Sequence, residues 1–189
     1  MIDQHSYHYR PMQKKDIASI VEINHMYLDY SSNSFLLKKL TKEQVLATMK
    51  NGVNEYYVVE FEDKGTVVGY IEIAPQIERN ILDEVSWKKD VQVNPLKTKR
   101  YQYIEQVATH RDYLGSGVGT FLYRSLLSSA TKPTAAFVAT KPIKNEASIH
   151  FHEKLGFKRI GTYTADTFLH FKNYESILYW QTGTDLIRR

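Results

Sequence analysis

The stretch YIEQVATHRDYLGSGVGTFLYRSLL, Tyr103 to Leu127, runs from a strand-like segment through Gly115, Gly117 and Gly119 into a helix-like one. Glycine at alternate positions strips three side chains from one turn, so that backbone can pack directly against a ligand. The N–H groups of residues 115–120 can converge on an anion, and the start of the following helix adds the positive end of its dipole. A pyrophosphate would be held there without a single lysine. Two other nucleotide patterns fail. A P-loop needs a lysine after the glycines, and the dinucleotide fingerprint needs a glycine where Thr120 stands. A tight turn requiring positive φ is the purely structural alternative.

The elements that must position this turn are readable on both sides of it. YHYRPM reads as a short strand ending at Pro11, and the apolar spacing of Ile17, Ile20, Val21, Ile23 and Leu28 predicts a helix with Asp16 as its N-cap. TKEQVLATMKN predicts a second helix, with Thr41 as cap and Gly52 just past its end. EYYVVEFED and TVVGYIEIAP, joined by DKG, predict a hairpin. The segment Ile77–Arg100 reads either as a loop or as an additional hairpin. YQYIEQVAT is strand-like, and Val118, Phe121, Leu122 and Leu126 place a helix after the glycines. TAAFVAT predicts a buried strand, and NEASIHFHEKL a helix capped by Asn145 and stopped at Gly156. FKRIGTYT and YESILYWQT close the chain as a strand pair.

Composition narrows the chemistry. The 189 residues are most simply one domain, 42% hydrophobic and 24% charged, as in an ordinary globular protein. The start, MIDQHSYHYRPMQKKD, lacks the apolar core of a signal peptide, and no run approaches the length of a membrane span. A cytoplasmic location without membrane partners is expected. The chain has no cysteine, so a thiol nucleophile and a thiolate metal site are excluded. His150 and His152 stand two apart and would face opposite sides of a helix, so they do not form a metal site. The net charge of +4 suits an anionic ligand, but the basic residues are dispersed and no nucleic-acid-binding motif is present.

LGSGVG, Leu114 to Gly119, resembles the acyl-CoA-binding motif of the GNAT superfamily of N-acyltransferases, Gln/Arg-x-x-Gly-x-Gly/Ala. Gly117 and Gly119 match it, and Leu114 stands where the family has Gln or Arg, a change that leaves the amide cradle intact. Downstream, NEASIHFHEKLGFKRIG is similar to the family's second signature, with Asn145, Ser148, Glu153, Lys154, Leu155, Gly156 and Phe157 in register. Both signatures occur in the family's order, about 30 residues apart, and the element order fits over roughly 5–181. The resemblance implies a mixed α/β fold over 1–189. Its sheet would be central, mostly antiparallel and splayed, with six to seven strands and about four flanking helices.

It also implies an acetyl-CoA-dependent N-acetyltransferase, in which a primary amine of a small molecule or peptide attacks the thioester directly. A non-catalytic acyl-CoA-binding sensor or scaffold is the rival from another class. The pantetheine arm would bond to the backbone of Val107, Ala108 and Thr109. The pyrophosphate would lie on the amides of Leu114, Gly115, Ser116, Gly117, Val118, Gly119 and Thr120. Asn145 would bond the pantetheine arm, cap its own helix, or do both. For the base, Glu105 is singled out because alternation sets it on the face of Val107 and Thr109; Glu72 is the alternate. His152 occupies the place of the family's usual tyrosine, which steadies the leaving thiolate. Asp29 and Tyr30, among the aromatics Tyr27, Phe35, Tyr163 and Tyr174, would hold the acceptor ammonium by charge and cation–π contact. Homodimerisation is left open.

Overall fold

A computed structural model describes residues 7–29, 35–61, 65–89, 91, 94–98 and 100–182. The chain sorts into two compact units: Met1–Asp29, Lys38–Ala74 and Glu105–Ser129 form the first, and Tyr30–Leu37, Pro75–Ile104 and Ala130–Arg189 the second.

The first unit is an open sheet with helices. Strands β1 (Tyr7–Pro11), β2 (Glu55–Phe61) and β3 (Thr66–Ala74) pair antiparallel, and the later part of β5 (Gln102–Thr109) lies beside β3. The expected hairpin is therefore present. Helix α1 (Ile17–His25) buries Ile17, Ile20, Val21 and Ile23, as their spacing predicts. Asp16 does not cap it. Its carboxylate accepts the Gln13 N–H at 2.7 Å and pairs with both terminal nitrogens of Arg10, at 2.6 and 3.0 Å, so the chain turn is closed one step earlier than expected. Burial alone would raise the Asp16 pKa, but these partners hold it below the usual carboxylate value. Helix α2 (Lys42–Asn51) begins and ends as predicted: Thr41 Oγ1 accepts the Gln44 N–H, and Gly52 turns left-handed at φ 62°.

Helix α5 (Val118–Ser129) packs its buried Val118, Leu122, Leu126 and Leu127 against this sheet. Gly69 on β3 makes that approach feasible. A Cβ there would stand 2.8 Å from Val118 Cγ1 and 3.2 Å from both the Ala108 carbonyl and Leu122 Cδ1.

In the second unit the strand order is β5, β6 (Thr134–Lys141), β8 (Phe171–Gln181), β7 (Lys158–Phe168), β4 (Val85–Trp87). The β5–β6 ladder is parallel, and those of β6–β8, β7–β8 and β4–β7 are antiparallel. The mostly antiparallel α/β architecture is as expected; with β4 the described strands number eight rather than six or seven, and six α-helices replace about four. The Ile77–Arg100 segment is neither loop nor hairpin: it folds into α3 (Arg79–Asp83), β4 and α4 (Asn94–Lys97), and β4 pairs with β7 far along the chain. Gly161 admits β4, since a Cβ there would lie 2.6 Å from Val85 Cγ1. Helix α6 (Glu146–Lys154) follows β6. Tyr101, Ala135, Ile160, Tyr163, Tyr174 and Leu178 belong to this unit's core.

Candidate active site

In the first unit, the glycine turn is built for backbone contact. Gly115 and Gly117 both hold positive φ, 77° and 91°, a conformation side-chain-bearing residues avoid. No heavy atom lies within 4 Å of the position a Gly115 Cβ would take. The first helical bond of α5 runs from the Phe121 N–H to the Gly117 carbonyl at 2.9 Å. Helix geometry therefore leaves the N–H groups of Val118, Gly119 and Thr120 without carbonyls of their own helix. An anion of pyrophosphate type fits this nest. The turn is held from beneath by groups that a motif search passes over. Tyr7 Oη donates to Ser116 Oγ at 3.0 Å, Ser116 Oγ donates to the Tyr113 carbonyl at 2.6 Å, and Tyr7 lies against Phe61 and Phe121. Leu114 is exposed.

Strand β5 alternates as the sequence predicts. Ile104, Gln106 and Ala108 are buried, whereas Glu105, Val107 and Thr109 are half-buried. Its ladder with β6 covers only Gln102, Tyr103 and Ile104. One carbonyl of the expected pantetheine strip is already engaged: Tyr27 Oη donates to Thr109 O at 2.6 Å. Tyr27 therefore braces β5 from α1's C-terminal side. Glu105 lies 4.0 Å from Lys38 Nζ. Glu72 is 1% exposed and accepts from Asn54 Nδ2 at 2.8 Å.

Asp29, expected at the acceptor site, has a cationic neighbour. Arg111 reaches it at 3.4 Å and lies over the Tyr27 ring, 5.5 Å from its centroid. Tyr30 lies outside the described residues.

The second signature belongs to the second unit, where Asn145 and His152 are buried. Asn145 Oδ1 accepts the Ser148 N–H at 3.2 Å, the predicted cap, while its Nδ2 donates to the Phe35 carbonyl at 3.1 Å. His152 is 3% exposed. Its Nδ1–H donates to the Ser148 carbonyl at 2.7 Å, and its ring stacks on Tyr179 with centroids 5.5 Å apart. Burial depresses its pKa to about 4, against the smaller opposing effect of the Ser148 bond, so the ring is neutral at pH 7. Glu153 is bound by Arg159 and by Tyr179 Oη, the latter at 3.0 Å. A polar cleft of about 390 Å³ lies on this unit between Thr140, Lys144, His150, Arg159 and Glu175; none of the predicted site residues lines it. Among the described residues no group of three or more His, Asp and Glu side chains could hold a metal ion, and no helix is long and apolar enough to cross a membrane.

The family model described as "Acetyltransferase (GNAT) family" matches residues 20–157. The chain therefore belongs to the GNAT acetyltransferase family, and it is an acetyl-CoA-dependent N-acetyltransferase. Phosphinothricin N-acetyltransferase of Streptomyces viridochromogenes is 24% identical over 94% of this chain and 87% of that protein. Two solved structures show the same fold. A point-mutant form of spermidine N-acetyltransferase SpeG from Vibrio cholerae aligns with TM-score 0.66 and 16% identity over 98% of this chain and 99% of that one. The structure of yncA from Salmonella typhimurium with acetyl-CoA aligns with TM-score 0.62 and 20% identity over 94% of each chain.

Proposed function

We propose that this enzyme transfers the acetyl group of acetyl-CoA to a primary amine by direct attack, without a covalent acyl-enzyme. The observation that carries this reading is the pairing of β5: its β6 ladder covers only Gln102–Ile104, and the next residues lead straight into the amide nest at 115–120. An extended ligand arm can then bond to the backbone of Val107 and Ala108 as an added strand would, with its anionic end on the nest. Acetyl-CoA supplies the activated acyl carbon. The chain's residues supply position and a proton acceptor. Glu105 shares the face of Val107 and Thr109, and it takes the proton that the incoming ammonium must lose.

Asn145 and His152 enter this proposal as structural residues, because their side-chain groups already serve α6 and the core around it. A direct role for His152 at the leaving thiolate is the competing reading, and with Nδ1 on the Ser148 carbonyl it would fall to Nε2. The deciding experiment is thiol release from acetyl-CoA with a panel of primary amines that includes spermidine, phosphinothricin and a peptide N-terminus. Turnover with one or more is expected. Tight CoA binding with no turnover across the panel would favour a sensor or scaffold instead.

A further inference from the structure

The α1-facing side of β3 and β5 in the first unit carries a buried polar cluster in which one donor is left over. Asn24 is fully buried, and the main chain fixes which way its amide points. Its Oδ1 accepts the Leu40 N–H at 2.9 Å, and its Nδ2 donates to the Lys38 carbonyl at 3.1 Å. Nδ2 also donates to Gln106 Oε1 at 2.8 Å, so Gln106 must present its oxygen, not its nitrogen, to α1. Tyr70 on β3 donates to the same oxygen at 3.3 Å. Both contacts hold Oε1, and the planar amide then turns Nε2 away from Asn24 and from Tyr70. Nε2 is buried and has no acceptor among the described residues.

Gln106 as a whole is 6% exposed. An amide donor left unpaired in such a place costs about 1–3 kcal/mol, which an apolar side chain of similar size would not. Its position in the strand says what the donor serves. Gln106 stands two residues past Ile104, where the β6 ladder ends, and directly before Val107. Its side chain leaves β5 on the buried face, whereas those of Glu105 and Val107 leave on the other. With a diphosphate on the amides of 115–120, an arm laid along β5 runs back from Thr109 toward Glu105. Its acyl end then comes level with Glu105 and Gln106.

We propose that Gln106 is a catalytic residue: its Nε2–H donates to the acetyl carbonyl oxygen and stabilises the oxyanion formed there on attack. This rests on the reading that acetyl-CoA lies along β5. The two faces of the strand divide the work. On one, Glu105 takes a proton from the ammonium; on the other, Nε2 meets the charge that moves onto oxygen. As the amine nitrogen bonds to the acyl carbon, the π pair of the carbonyl moves to its oxygen. When that pair returns, the C–S bond breaks and the thiolate leaves. The second N–H proton ends on the thiol, and the proton on Glu105 returns to solvent. Asn24 is a positioning residue that acts through Gln106: with Oε1 already held, the donor need not reorient as charge develops.

The test reads the bond itself. Infrared spectra of acetyl-CoA labelled with carbon-13 at the carbonyl are compared free in solution, on the full wild-type chain and on Gln106→Met, which keeps the length and has no N–H to give. Binding to the wild type should move the carbonyl band to lower wavenumber, and Gln106→Met should return most of that shift. Single-turnover transfer to an accepted amine of the panel should fall about 10²–10³-fold, while acetyl-CoA affinity by calorimetry stays within about threefold. Gln106→Glu keeps an oxygen for Asn24 and Tyr70 and loses the donor as it ionises. It serves if Gln106→Met does not fold, and both losses should then grow as pH rises. A donor that only satisfies a buried water or the fold would leave the band where it is; that outcome, or an unchanged transfer rate, overturns the proposal. Gly117→Arg separates the proposal from its premise. If that variant still binds acetyl-CoA, the placement along β5 falls and Gln106 with it; if binding is lost and the band is unmoved in Gln106→Met, the Gln106 assignment falls alone.

Discussion

The two stretches that match the family signatures, Leu114–Gly119 and Asn145–Phe157, are chemically opposite. The first is rich in glycine, and Gly115 and Gly117 turn through positive φ. The second is rich in polar side chains, yet Asn145 is engaged at both ends and His152 lies in the core beside Tyr179. A match in a backbone-driven site carries function almost directly. A match in a side-chain motif does so only if the side chain is not already holding the fold together. This difference also accounts for Leu114: a cradle of amides tolerates a foreign residue at its rim.

The largest test of that contrast is steric. Gly117→Arg should abolish CoA binding, a loss exceeding about 10³-fold, because the side chain fills the anion nest and is strained at φ 91°. Calorimetry reads the loss, with circular dichroism as the control for folding. Unchanged affinity would remove the cradle assignment. Next comes Glu105→Gln, for which single-turnover rates should fall about 10²-fold at neutral pH and recover in part at high pH, where free amine accumulates. A flat loss across pH would mean that Glu105 positions the amine rather than deprotonating it.

For the second stretch the expected effects are on stability. His152 is held at a pKa of about 4 in the folded protein, below the value of about 6.5 it regains on unfolding. The unfolded chain therefore binds more protons between those values, and stability falls as pH drops from about 6.5 toward 4, by at most about 3 kcal/mol. His152→Phe should flatten that part of the Tm-versus-pH curve while kcat stays within a few-fold. A 10²-fold loss of kcat in a well-folded variant would restore the thiolate role. The smallest effect belongs to Asn145→Ala, which should cost about 1 kcal/mol as a lost cap and leave CoA affinity nearly unaltered.

What could be read in the sequence was local. The glycine turn, the Thr41 and Asn145 caps and the β2–β3 hairpin are each decided within a few residues, and each stands where the pattern places it. Three features escaped because their causes lie far along the chain. Strand β4 is three residues long and exists through its ladder with β7. Asp16 reads as a cap until Arg10, six residues earlier, draws its carboxylate away. The Tyr27 hydroxyl meets Thr109 across 82 residues, which no periodicity announces. Glu72 belongs to the same class: the sequence sets it in a hairpin strand but could not show that it is buried.

Gly69 has no polar group to offer a ligand, yet it sets the height of the amide nest. The first turn of α5 rests on its bare Cα, with Val118 Cγ1 2.8 Å from where a methyl would begin. An alanine there would push against the helix that carries Val118, Gly119 and Thr120, while the Ala108 carbonyl, 3.2 Å away, resists from the strand side. Helix and strand would part by a fraction of an ångström, and amides aimed together at one anion would lose their common focus. In a survey of random substitutions Gly69 would therefore score among the cofactor-binding residues. Its influence is that of a shim in an optical mount: never in the beam, and decisive for where the beam falls.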